Sequence, residues 1–209
     1  MSIRLVAISD THGLHRQLTI PDGDILIHAG DMTGHGQVEQ VADFNAWLGT
    51  LPHRYKIVIA GNHDFCFEAE PVTTAALLTN CIYLFDEATT LAGLNFYGSP
   101  WQPWFFDWAF NLRRGSEIRA KWDLIPTATD VLITHGPPLG QGDLTSFGKQ
   151  AGCADLGEVI GEKRPKLHIF GHIHEGYGVT QNQHTTFINA SSCTLQYQPV
   201  QRPIVYDWT

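Results

Sequence analysis

No stretch of this 209-residue chain approaches the ~20 consecutive apolar residues that a membrane-spanning helix needs. Basic residues are scarce: 13 Lys and Arg stand against 21 Asp and Glu, a formal net charge of -8. That balance excludes a generic nucleic-acid surface, because gripping a polyanion takes many Lys and Arg contacts to phosphate. It leaves room for a small phosphate ester, since bound divalent cations can set the local charge of a site. The four cysteines, Cys66, Cys81, Cys153 and Cys193, form no C-x-x-C and read as free thiols of a reducing compartment. Met1-Ser2-Ile3-Arg4 runs directly into a strand pattern with no signal-like apolar region, so a cytoplasmic protein without a membrane partner is expected. Repeats, low-complexity tracts and linker-like shifts are absent, and one domain over 1–209 is expected.

What is present is an alternation of apolar runs and amphipathic segments. Runs bounded by Gly, Pro, Asn and Asp predict strands at Ile3–Ile8, Asp24–His28, Lys56–Ala60, Asn95–Tyr97, Val131–Thr134, Leu167–Phe170, Thr186–Ile188 and Ile204–Tyr206. Several are nearly continuous in Val, Ile and Leu, as strands covered on both faces are. Helical spacing appears at Gln37–Leu48, Val72–Leu78, Ser116–Trp122 and Ala154–Ile160. The pattern argues for an α/β layer architecture, with the later strands forming a second sheet.

Five short motifs follow these apolar runs: Asp10-Thr11-His12, Gly30-Asp31, Gly61-Asn62-His63-Asp64, His135-Gly136 and Gly171-His172-Ile173-His174. Ligand sites in α/β sheets lie beyond the carboxyl ends of strands, so these motifs can converge. Their carboxylate, amide and imidazole donors suit Mn, Fe or Zn. Asp10 and His12 can point at one ion, the two oxygens of Asp31 can bridge two, and Asn62 can add an amide oxygen. His135, His172 and His174 add imidazoles. Two ions ~3.5–4 Å apart can stabilise both the attacking and leaving oxygens of an in-line displacement and yield hydroxide near neutral pH. His63 is placed to protonate the leaving oxygen, with Asp64 expected to orient its ring.

The ordered set D-x-H, G-D, G-N-H-D, H-G and G-H-x-H resembles the calcineurin-like metallophosphoesterase superfamily. Longer strings such as YKIVIAGNHDFCFE, YGSPWQPWF and LHIFGHIHEGYG are similar to the metallophosphoesterase-domain-containing family, and the similarity covers essentially the whole chain. The resemblance implies a four-layer αββα sandwich of two mixed sheets. It implies one metal on Asp10, His12, Asp31 and His174 and a second on Asp31, Asn62, His135 and His172. It further implies a phosphodiesterase acting through a metal-bridging hydroxide, cyclic nucleotides among its substrates, with Mn the expected activator in assay. A phosphomonoesterase or protein phosphatase on the same site, or a metal-stabilised interaction module, are the alternatives.

Other residues divide between chemistry and packing. His28 and His168 fall inside strands and read as buried structural groups, whereas His15, His53 and His184 read as exposed. Asn62 and His63 are expected to touch substrate, and His35, between two glycines just past Asp31, could face the same mouth. Trp101 lies in an aromatic, Pro-stiffened run and could stack a nucleobase or fill core; core filling is expected of Trp104. Arg113 and Arg114 read as a surface pair or connector, with phosphate contact as the other reading.

Overall fold

The computed structural model describes residues 2–209; Met1 of the N-terminal reading lies outside them. Thirteen strands run in chain order: β1 Ile3–Ile8, β2 Ile25–Ala29, β3 Tyr55–Ile59, β4 Ile82–Tyr83, β5 Glu87–Leu91, β6 Leu94–Ser99, β7 Gln102–Pro103, β8 Asn111–Leu112, β9 Val131–Thr134, β10 Leu167–Phe170, β11 Gly178–Gln181, β12 Thr186–Asn189 and β13 Ile204–Trp208. The helices are α1 Val38–Thr50, α2 Phe65–Ala69, α3 Pro71–Ala75, α4 Ser116–Trp122 and α5 Ala154–Lys163. None of them is long and apolar enough to cross a membrane.

Side-chain alternation builds the layers. In β1, Leu5 and Ala7 face one way and Val6 and Ile8 the other; β2 and β3 repeat this with Ile25, Ile27, Ile57 and Ile59 opposite Leu26 and Val58. The inward set meets Phe96, Val131, Ile133, Leu167, Ile169 and Ile188 of the second sheet, forming the central core. The outward set packs on Val41, Phe44, Trp47 and Leu48 of α1. On the far side, Tyr97, Leu132 and Phe170 pack against Ile118 and Trp122 of α4 and Leu156, Val159 and Ile160 of α5. Helices, sheet, sheet, helices is the expected αββα order.

The first sheet has the order β13-β1-β2-β3-β4, and the second β11-β12-β10-β9-β6-β5. β1 to β4 are mutually parallel, as are β12, β10, β9 and β6. Antiparallel strands β13, β11 and β5 form three of the four edges, and parallel β4 forms the fourth. The carboxyl ends of β1, β2, β3, β9 and β10 therefore open on one rim, and each carries one of the five motifs.

Three sequence expectations fail between the strands. His15 is buried, its Nε2 3.0 Å from Asp43 Oδ2 and its ring against Phe44 and Trp47. His53 is also buried, with Nε2 3.0 Å from the Pro21 carbonyl. The His15 ring finds its partners on α1, and His53 finds its partner in the segment before β2. His28 and His168 are buried as expected and His184 is exposed. Trp104, expected to fill core, is 57% exposed.

Candidate metal centre and active-site cleft

The strand ends bring Asp10, His12, Asp31, Asn62, His135, His172 and His174 together. Four of these seven adopt left-handed backbone: Asp10 (φ 52°), His12 (44°), Asp31 (58°) and His172 (69°). Such residues cost about 1 kcal/mol or more each and persist only where their surroundings hold them, typically at functional sites. Backbone bonds between loops supply the hold: Asp10 N to Gly30 O (2.9 Å), His12 N to Asp31 O (3.0 Å) and Gly171 N to His135 O (2.9 Å). Two glycines are required by close approach. A Cβ on Gly171 would strike the Asp10 carboxylate and Ser9 Oγ, and one on Gly61 would lie 2.5 Å from Asp31 N and 2.6 Å from His135 Cε1.

The donor atoms form two neighbouring groups. In one, Asp10 Oδ1 and His12 Nε2 each lie 3.3 Å from His174 Nε2, and Asp31 Oδ2 is 4.0 Å from His12 Nε2. In the other, Asn62 Oδ1 lies 2.8 Å from His135 Nε2 and 2.7 Å from His172 Nδ1. Asp31 Oδ2 is also 3.4 Å from His135 Nε2, so this oxygen stands between the groups.

The set fits hard or borderline cations. His135 and His174 donate from Nδ1 to the carbonyls of Ala29 (2.9 Å) and Thr194 (3.0 Å), which in the neutral rings leaves the Nε2 lone pairs facing the cluster. Burial would push the Asp10 carboxyl up, but the His174 hydrogen bond and nearby imidazoles outweigh it and hold it well below the usual carboxylate range. Asp31 is held down in the same way, His135 contributing most against its burial. In return, against burial, Asp31 raises His135 to about 9 and Asp10 raises His174 to about 9. The buried carboxylates thus demand positive charge, from imidazolium or from a cation. Burial lowers His12 to about 4 and His172 to about 3, leaving neutral rings with free donor capacity.

Neighbouring polar groups fix these loops. Asp10 accepts hydrogen bonds from His172 N and from Ser191 Oγ (2.9 Å). Gly30 N donates to His28 Nδ1, so His28 Nε2 carries the hydrogen and donates to Thr11 Oγ1 at 3.0 Å. Thr134 Oγ1 donates to Gly136 O and accepts from His168 Nε2, steadying the backbone at His135.

Asp64 does not orient His63. Its buried carboxylate accepts from Gly61 N (2.9 Å), Met32 N (3.2 Å), Thr33 N (2.9 Å) and Thr33 Oγ1 (2.8 Å). Burial, then Asp31, pushes this carboxyl to about 6, which leaves it largely ionised at neutral pH. The His63 ring instead donates from Nδ1 to Gly34 O at 2.7 Å. Asp64 therefore staples the loop after β2 to the loop after β3. Asp64→Ala is expected to lower unfolding free energy by about 3 kcal/mol, since it strands several buried donors. Urea unfolding measures this, and an unchanged midpoint would remove the stapling role.

The donors open on a cleft of about 200 Å³. Asp31, Asn62, His63, His172 and His174 face it, between Phe105 and Trp108 and the pair Leu195 and Tyr197. Trp108 lies along His63, centroids 4.3 Å apart, and Tyr197 meets His12 at 4.8 Å and His174 at 5.7 Å. A larger recess of about 610 Å³, between residues 17–21 and 199–205, holds none of these donors.

Two expected substrate contacts lie elsewhere. Trp101 is half-buried, donates from Nε1 to Asp86 (2.9 Å), lies beneath Lys121 and packs on Phe85 and Phe110. Its indole N–H finds a half-buried acceptor, which draws the ring into the fold and away from the cleft. His35 is exposed and sits behind the wall, 4.7 Å from Phe65 and 6.0 Å from Trp108, without lining the cleft. Arg114 donates to the Gly152 and Ala151 carbonyls and acts as a connector. The walls missed from sequence are Trp108, Leu195 and Tyr197. Trp108 lies just beyond the aromatic run that ends at Phe105, and none of the three was singled out.

A family model described as calcineurin-like phosphoesterase matches residues 3–176. The human metallophosphoesterase domain-containing protein 1 is 48% identical over 98% of this chain and 70% of its own length. The UPF0046 protein C25E10.12 of Caenorhabditis elegans is 44% identical over 98% of this chain and 80% of its own length. Among solved structures, the phosphopantetheinyl hydrolase of Mycobacterium tuberculosis aligns with a TM-score of 0.67 at 15% identity, covering 96% of this chain and 95% of the other. TT1561 of Thermus thermophilus aligns at 0.61 and 13% identity, covering 90% and 89%; at these identities the likeness concerns the fold. Sequence and architecture agree, and the chain belongs to the calcineurin-like phosphoesterase family of metal-dependent phosphoester hydrolases.

Proposed function

We propose that this chain is a phosphodiesterase that works with two divalent cations, Mn serving in vitro. One observation carries the diester reading: the cleft has apolar walls and no Lys or Arg among its lining residues. A phosphodiester carries one negative charge and two ester groups, which suits such walls. A dianionic monoester gains more from Arg or Lys donors. In this reading Asp10, His12, Asp31 and His174 hold one cation, and Asp31, Asn62, His135 and His172 hold the other.

Divalent cations so held supply Lewis acidity and make water a stronger nucleophile. His63, fixed by Gly34 O and Trp108, presents Nε2 to the phosphoryl group and protonates the departing oxygen. Cyclic nucleotides are compact candidates, with the rings of Phe105 and Tyr197 available to a base.

The test uses protein stripped of metal and reloaded with Mn²⁺, comparing bis-p-nitrophenyl phosphate with p-nitrophenyl phosphate. Faster turnover of the diester is expected; monoester preference would replace this reading with a phosphatase. Reloading should also raise Tm, because a ligand of the folded state stabilises it. A gain in Tm without turnover of either ester would favour the interaction-module alternative.

A further inference from the structure

Among the described residues, the Phe, Tyr and Trp side chains left largely exposed are Trp104, Phe105, Phe106, Phe147 and Tyr197. All belong to loops that line the cleft or bond to one of its lining residues. Phe105 and Tyr197 line it. Trp104 and Phe106 flank Phe105 in sequence, and the rings of Phe105 and Phe106 meet edge to face at 4.5 Å. Phe147, 94% exposed, stands on the turn 145–149 between β9 and α5. That turn is fastened to the cleft, because Ser146 N donates to Glu175 Oε1 at 2.8 Å and Glu175 is a lining residue.

Elsewhere the aromatics are buried, as Trp122, Tyr97, Phe44, Phe67 and Phe96 are, or half-buried. Confining the exposed ones to one rim marks a binding surface, since apolar area in water is unfavourable at about 25 cal/mol per Å². The cleft, at about 200 Å³, is smaller than the roughly 300–1,000 Å³ of ordinary ligand pockets. It holds a phosphoryl group and the start of its ester groups, and the remainder of a larger substrate must lie on the rim. Phe106 and Phe147 lie outside the lining of that cleft. The chain's net charge of -8 disfavours an anionic bilayer as the rim's occupant.

We propose that the preferred substrates are phosphodiesters in which one ester group is a long apolar chain, held by the rim of Phe105, Phe106 and Phe147. This rests on the phosphodiesterase reading and narrows its substrate class. Phe106 and Phe147 touch no metal-ligand candidate, so their replacement should spare basal chemistry.

The test uses Mn²⁺-loaded protein, Phe106→Ser and Phe147→Ser, with p-nitrophenyl alkyl phosphates bearing methyl, butyl and octyl groups, all below their micelle concentrations. For the parent, kcat/KM should rise by about two- to fourfold per methylene that reaches the rim. The octyl diester should also be turned over faster than 3′,5′-cyclic AMP. The variants should keep parental methyl-diester turnover and lose most of the gain with length. Calorimetric binding of methyl alkyl phosphinates of the same chain lengths, monoanions with no ester bond to cleave, should show the same trend. A flat series, an undiminished slope in both variants, or a gain that appears only above the micelle concentration would overturn the proposal. Hydrolysis of p-nitrophenyl phosphate without turnover of the methyl diester would overturn the phosphodiesterase reading instead, and the binding series would still decide whether the rim holds alkyl chains.

Discussion

Asp31→Asn is expected to lose bound divalent metal and phosphoester turnover together, with kcat/KM falling about 10³-fold or more, the equivalent of about 4 kcal/mol. The reason is the position of one carboxylate. Oδ1 accepts from His63 N at 2.8 Å, and Oδ2 lies near the Nε2 atoms of His135, His63 and His12, at 3.4, 3.9 and 4.0 Å. An amide can keep the bond to His63 N, so the loop should stay folded. It cannot supply the negative charge that both donor groups share, and its NH₂ would face imidazole nitrogens. Metal content by plasma mass spectrometry and turnover on the same sample check this. Near-parental turnover with metal retained would show that Asp31 is not a shared ligand.

His63→Ala should separate chemistry from metal binding. The metal content should stay at the parental level while the rate falls about 10²–10⁴-fold, the range for loss of a general acid. Its Nδ1 is committed to Gly34 O at 2.7 Å and its ring is braced by Trp108, which leaves Nε2 as the working atom. His63 also stands close enough to His12 and Asp31 to complete a possible metal group, so metal content is the deciding control. Loss of metal in this variant would make His63 a ligand. The defect should be smaller for esters with a p-nitrophenol leaving group than for alkyl esters, because a stable phenolate needs little protonation to depart. Equal defects would assign His63 to holding the phosphoryl oxygens.

Much of this is legible in the amino-acid sequence. Strand β1 is read without error because its last four residues, Leu5–Ile8, are buried on both faces, and the same pattern identifies β9 and β10 to the residue. The strands missed were β4, β5, β7, β8 and β11, which are short or carry many exposed residues and so lack a continuous apolar signal. Helix α3 spans Pro71–Ala75, ending before Leu78, the end expected from periodicity; apolar residues continue past a helix whose turns have stopped. The seven metal-donor candidates were visible because each follows a strand whose end is fixed by its own sequence.

The sequence by itself determined the α/β layering, the donor chemistry and the seven metal-donor candidates, while the αββα order came with the family resemblance. Alternation sets which face of a strand is buried, and donor type is a property of the side chain alone. The tertiary structure decided what surrounds those donors. Asp64 turned from a partner of His63 into a staple because the loops after β2 and β3 lie side by side and offer it four donors. Trp101 left the cleft for Asp86, while Trp108 and Tyr197 entered it from opposite parts of the chain. Such positions depend on how two sheets stack and where their loops meet, and no local periodicity carries that information.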